Sequence, residues 1–219
     1  MKAVKTYISV YPLWYRVIVF VAVPIVVIAM GVAMMAGADE VSGYDRGLLI
    51  GLSAGALIYA EIFGEWFTLG EISARKGAFG DVVMSSPKGR LFVKRFAFID
   101  AFRKVIGYPL IFIVQQLLIM IFSPASSSIK DGAFIGAVFA FGIVTGVWVI
   151  RKTKVMALRF LSLLATGGIV SVLGIPYICI SWELMKNIIG VFSVIMSVLF
   201  AFLSARSVIK NAKEDYYDE

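Results

Sequence analysis

Six apolar stretches, each close to the length needed to cross a bilayer, confine this chain to a membrane-embedded helical fold. They run at about 17–36, 47–66, 105–122, 132–150, 160–178 and 187–205. A hydrocarbon core about 30 Å thick is crossed by roughly 20 apolar residues in a helix. Lipid offers the backbone no hydrogen bonds, so a spanning segment must satisfy its own, as a helix does. The stretches use most of the 219 residues and leave no room for a second, soluble domain. Composition agrees, with 60% of residues apolar and 16% charged, where a soluble domain is nearer half apolar and a quarter charged. The expected fold class is therefore all-α, a single transmembrane domain with six spans. Pro24 should bend the first span, and Gly174 with Pro176 should bend or end the fifth. The basic Met1–Arg16 and the Ala36-Gly37-Ala38 sequence around the first stretch resemble a secretory signal. Its apolar run of 20 residues exceeds the usual 7–15 of such signals, so it reads as a retained anchor.

The net charge of +7 is placed by topology. Lys2, Lys5 and Arg16 precede the first span, and eight cations (Arg75, Lys76, Lys88, Arg90, Lys94, Arg95, Arg103, Lys104) lie between the second and third. Arg151, Lys152, Lys154 and Arg159 lie between the fourth and fifth, and Arg206, Lys210 and Lys213 follow the sixth. The alternate loops hold only Arg46, Lys130 and Lys186, which makes eighteen cations against three. Basic residues collect on the cytoplasmic side, so both termini are expected there, in a multi-pass protein of the plasma membrane. Nucleic acid is not needed to explain the charge. Two of the three outer loops are small, Ser123–Asp131 and Cys179–Lys186, and the other, Gly37–Arg46, carries Asp39, Glu40 and Asp45. The largest non-membrane segment is cytoplasmic, Phe67–Lys104.

Several chemistries are disfavoured. The chain has no histidine and one cysteine, Cys179, so the commonest general base and metal ligand is missing and no internal disulfide can form. No metal site is expected. Polar residues within spans are few, and Glu61 and Glu65, one turn apart, with Gln115 and Gln116 in the third span, stand out among them. Intramembrane acids by default suggest function. Here they read either as partners of Arg95, Arg103 or Lys104, or as part of a transport path. Glycines recur every fourth residue at Gly47, Gly51 and Gly55, at Gly132 and Gly136, and at Gly142 and Gly146. Such grooves let helices approach closely in lipid, within one subunit or between two.

The segment Gly77–Lys94 carries the most specific pattern. Phe79, Val82 and Val83 share one face of a short helix, with Asp81 off that face and Met84 following. Ser86-Pro87 is a helix start. A second helix would mix Leu91, Phe92, Phe96, Phe98, Ile99 and Phe102 with Arg90, Lys94, Arg95, Arg103 and Lys104, as a helix lying in the headgroup layer does. The order Gly77, Val82, Val83, Ser85, Ser86, Pro87, Arg90, Lys94 resembles the loop between spans two and three of permease subunits of type-2 ABC exporters. That resemblance implies a coupling helix, Gly77–Ser86 with Pro87, Arg90 and Lys94 behind it, docking on an ATPase. It also implies an amphipathic helix before span one, which Val4, Tyr7, Ile8 and Tyr11 fit. Gly89 and the small outer loops depart from the pattern.

A separate ABC ATPase would then bind ATP and Mg, because this chain has no phosphate-binding loop and needs no cofactor of its own. A second permease subunit, identical or related, would complete the pump. Membrane lipids would surround it, and an apolar or amphipathic peptide, lipid or drug would be the cargo. The alternatives are a substrate-capturing subunit of a vitamin uptake system, an intramembrane enzyme, and a non-transporting immunity or assembly protein. An enzyme fits least, since no nucleophile–base pair lies within the spans.

Overall fold

The computed structural model describes residues 13–36, 43–66, 87–122, 128–153, 159–180 and 182–214. The amphipathic stretch Val4–Tyr11 and the docking segment Gly77–Ser86, with Phe79, Asp81, Val82, Val83 and Met84, lie outside the described residues, as do the side chains of Pro87 and Arg90. All regular structure within them is helical: α1 (Leu13–Val17), a π-helical turn (Ile18–Ala22), α2 (Val23–Ala36), α3 (Gly43–Trp66), α4 (Pro87–Phe122), α5 (Ile129–Lys152), α6 (Leu161–Cys179) and α7 (Glu183–Glu214). Among the described residues, four segments are long and apolar enough to cross a membrane: Leu91–Ile121, Ile129–Lys152, Leu161–Cys179 and Glu183–Lys210. A shorter apolar helix covers Ile18–Ala33.

The burial pattern is that of a protein dissolved in lipid. Large apolar side chains face outward, among them Ile106, Leu110, Ile121, Leu164, Val172 and Ile195. Polar and charged ones are buried, including Glu61, Asp100, Lys104, Arg151, Thr166 and Ser193. Hydrocarbon welcomes the first group and excludes the second. Several buried hydroxyls satisfy themselves on their own helix: Thr145 donates to the Phe141 carbonyl at 2.8 Å, Thr166 to Ser162 at 2.7 Å and Ser193 to Ile189 at 2.7 Å.

Helix α5 is the centre of the bundle, packed by α4, α6, α7 and α3. Its glycines make this possible, and the two pairs serve different neighbours. A Cβ on Gly132 would lie 2.7 Å from the Phe112 carbonyl oxygen, and one on Gly136 would overlap Pro109, so this pair admits α4. A Cβ on Gly142 would meet the Thr166 carbonyl at 3.1 Å, and one on Gly146 would overlap the Thr166 hydroxyl, so this pair admits α6. On α3 the outcome differs: a Cβ on Gly55 meets nothing within 4 Å. Gly47 and Gly51 lie on α3 as well.

Two expectations about element boundaries change. The residues expected to form a separate headgroup-layer helix, from Pro87 to Lys104, run without a break into the third span as α4, 36 residues long. The helix is roughly 54 Å long at 1.5 Å per residue, well beyond the hydrocarbon thickness. Its first turns cover protein rather than lipid alone: Val93, Phe96 and Ala97 are buried against Ala205 and Val208 of α7, with Tyr15 and Phe20 alongside. The same contact explains why α7 continues to Glu214, past the end expected near 205. The charges Arg103 and Lys104 do not force an exit from the bundle because acids of neighbouring residues and helices neutralise them.

Pro24 acts by widening a turn. A proline clashes with the carbonyl four residues earlier, here Phe20. The chain just before it winds as a π turn, with the Val23 N–H donating to the Ile18 carbonyl five residues back. Pro109 and Pro176 lie inside α4 and α6, and the Ile180 N–H still reaches the Pro176 carbonyl at 2.8 Å as α6 ends.

Candidate functional site

Where α3 and α5 end, six ionisable side chains from three helices converge. Glu61 and Glu65 come from α3, Asp100, Arg103 and Lys104 from α4, and Arg151 from the last turn of α5. Helical spacing explains the local sets. Glu61 and Glu65 are four apart, as are Asp100 and Lys104, so each pair lies on one face.

Arg151 is the hub. It is 1% exposed, and its planar fork engages Glu65 twice, Nε to Oε1 at 2.6 Å and Nη2 to Oε2 at 2.9 Å. Nη2 also donates to Asp100 at 2.7 Å and Nη1 to the Ser204 hydroxyl of α7 at 2.9 Å. One side chain thereby ties four helices. Lys104 donates to Asp100 and lies 3.6 Å from Glu61 and 3.7 Å from Glu65. Arg103 grips Glu61 through both Nη atoms at 2.5 Å and approaches Asp100 at 3.4 Å. Phe20 of the π turn stacks against the Arg103 guanidinium, 5.2 Å from its ring centre.

Three acids face three bases, so the set sums to zero. That balance allows six charges to sit in a low-dielectric bundle, where each alone would be costly. Every acid accepts from at least one cation. The six side chains pair with one another and so tie the helix ends together as a latch. Trp66 closes the same end, edge-on to Phe63 at 5.1 Å and to Phe160 at 5.3 Å.

The structure sorts the polar residues named from sequence. Glu61 and Glu65 lie together in this network, with Arg103 and Lys104, while Arg95 and Lys94 are exposed. Gln115 lies elsewhere, donating to the Val27 carbonyl of α2 at 3.0 Å opposite Gly31. Gln116 packs against Gly132. Replacing Gln115 with leucine should cost about 0.5–1 kcal/mol, the scale of one interhelical hydrogen bond in lipid, read from unfolding in mixed micelles.

Sequence reasoning missed Asp100, Arg151 and Ser204. Arg151 counted as a loop cation because it ends an apolar run. Asp100 carried a signal: it is the sole acid between Asp81 and Asp131 and stands three and four residues before two cations. At the opposite end of the bundle the polar contacts among the described residues are few. Lys130 pairs with Glu183 at 2.9 Å, and the Tyr177 hydroxyl donates to Asp131 at 2.6 Å.

No protein-family model, curated protein or solved structure matches the chain. The fold and the network define a membrane-embedded helical bundle latched at one end by buried ion pairs.

Proposed function

We propose that this chain is the permease subunit of an ATP-driven exporter of the plasma membrane, moved by a separate ATPase. The observation that supports this reading most is the position of residues 67–86 relative to the latch. They connect α3, which ends one residue after Glu65, to α4, which starts at Pro87. A partner that grips this segment pulls on both helices that carry the acids. Helix α4 is one unbroken rod from Pro87 to Phe122, so movement at its start becomes tilt within the bilayer. The latch then gives the bundle discrete arrangements, because its charges must separate and re-pair together.

In this reading α1–α2 and α3 complete six spans, both termini face the cytoplasm, and two permease subunits surround the cargo path. The apolar exterior and the neutral latch suit an apolar or amphipathic cargo. ATP and Mg stay on the ATPase.

The test is affinity purification of the full chain from membranes of its own host. An ATPase with a phosphate-binding loop should co-purify in stoichiometric amount, and deletion of 77–86 should release it while the unfolding midpoint stays near that of the intact chain. An intact chain that brings down no ATPase, or a deletion that retains one fully, overturns the reading.

A further inference from the structure

A cleft of about 240 Å³ opens between the α1–α2 segment, α3 and α4. We propose that it binds one anionic amphiphile, its head at Arg103 and its chain running towards Leu110 and Pro24. This inference does not depend on the export reading.

The cleft is polar at one end only. Glu61 and Arg103 lie there, while Val23, Pro24, Leu57 and Ile111 make apolar walls. From Arg103 to Leu110 is seven residues, roughly 10 Å along a helix, and Leu110 is 53% exposed at the bundle surface. A head-to-tail order of charge and then hydrocarbon, open towards lipid, matches a molecule of one bilayer leaflet.

The sign of the head follows from exposure. Within the Arg103–Glu61 pair the arginine side chain is 21% exposed and the glutamate 4%. The accessible charge is the cation, and an anion can share it with Glu61. Tyr108 forms part of the wall, with its hydroxyl buried beside Glu61. An arginine fork is a fitting partner for phosphate or carboxylate.

Two backbone features keep the space open. The π turn contributes Val19 and Phe20 to one wall, and such widened turns recur at functional sites. Gly107 forms part of the opposite wall, and a Cβ there would meet nothing within 4 Å. A larger side chain at 107 therefore enters the cleft rather than a neighbouring backbone, and leaves the latch intact.

The experiment is native mass spectrometry of the full chain in detergent with added phosphatidylglycerol. One tightly held lipid per protomer is expected, with diacylglycerol of the same chains at least about tenfold weaker, the effect of one charge-assisted hydrogen bond lost. Glycerol phosphate alone should not displace the lipid. Gly107→Leu should abolish the tight adduct, with an unfolding midpoint near that of the unaltered chain. A folded Gly107→Leu protein that binds as the unaltered chain does overturns the proposal. Equal binding of diacylglycerol, or saturation by glycerol phosphate alone, overturns it as well.

Discussion

Replacing Arg151 with methionine should destabilise the bundle by about 3–5 kcal/mol, the scale for breaking a buried ion pair by removing one member. The exchange roughly preserves side-chain volume and apolar stem, so packing is not the cause. Its guanidinium makes four hydrogen bonds, to Glu65, Asp100 and Ser204. Without it three acids face two bases in a buried site, and among the described residues Glu65 keeps only Lys104 at 3.7 Å. The measurement is denaturant unfolding in mixed micelles, followed by tryptophan fluorescence. The diagnostic arm is the double exchange R151M/E65Q. It returns the set to two acids and two bases and should recover most of the loss, a coupling that independent sites do not show. Arg151→Lys should fall between, since it keeps the charge and loses the fork. A shift below about 1 kcal/mol for R151M would mean that the site is solvated like an exposed pair.

Gly136→Ala should cost about 1–3 kcal/mol, the usual penalty for overpacking a close contact. Its Cβ would overlap Pro109 and lie 2.7 Å from the proline nitrogen and 2.8 Å from the Tyr108 carbonyl oxygen. These are backbone atoms, so relief requires α4 and α5 to separate, and all side-chain contacts along their seam loosen with them. The control is Gly55→Ala on α3, where the added methyl meets nothing. There the gain in helix propensity should prevail, and the protein should gain roughly 0.5–1 kcal/mol. The same unfolding measurement reads both, and the contrast in sign is the expectation. Equal effects at the two positions would mean that the α4–α5 seam is not close-packed.

Glycine spacing thus announced close approach at Gly132, Gly136, Gly142 and Gly146 but could not say against what. The motif records only that a groove exists. Which helix enters it depends on how the whole bundle is arranged, and α5 has one groove for α4 and another for α6. The equivalent spacing on α3 leaves Gly55 without a neighbour. Glu61 and Glu65 were legible as a pair, and Arg103 and Lys104 as reachable cations. Arg151 was not, because it lies 86 residues from Glu65 in the chain and its local surroundings are those of any cation ending a span.

The extent of α4 was misread for a related reason. Aromatics mixed with cations before a span look like a surface helix when each charge is assumed to seek water. Here the charges seek Asp100 and α3, and Phe96 seeks α7, so the helix has no reason to break at 104. No proline or glycine lies between Gly89 and Gly107 to interrupt it.

Hydropathy by itself determined that this protein is helical and lives in a membrane. That property is nearly additive along the chain: each apolar residue contributes its own transfer free energy, and lipid leaves the backbone few other choices. Only the tertiary structure decided that six charges form one neutral latch, that α5 is the central helix, and that a cleft opens beside Arg103. Those depend on which helix faces meet, and a buried charge is tolerable only with its partners in place.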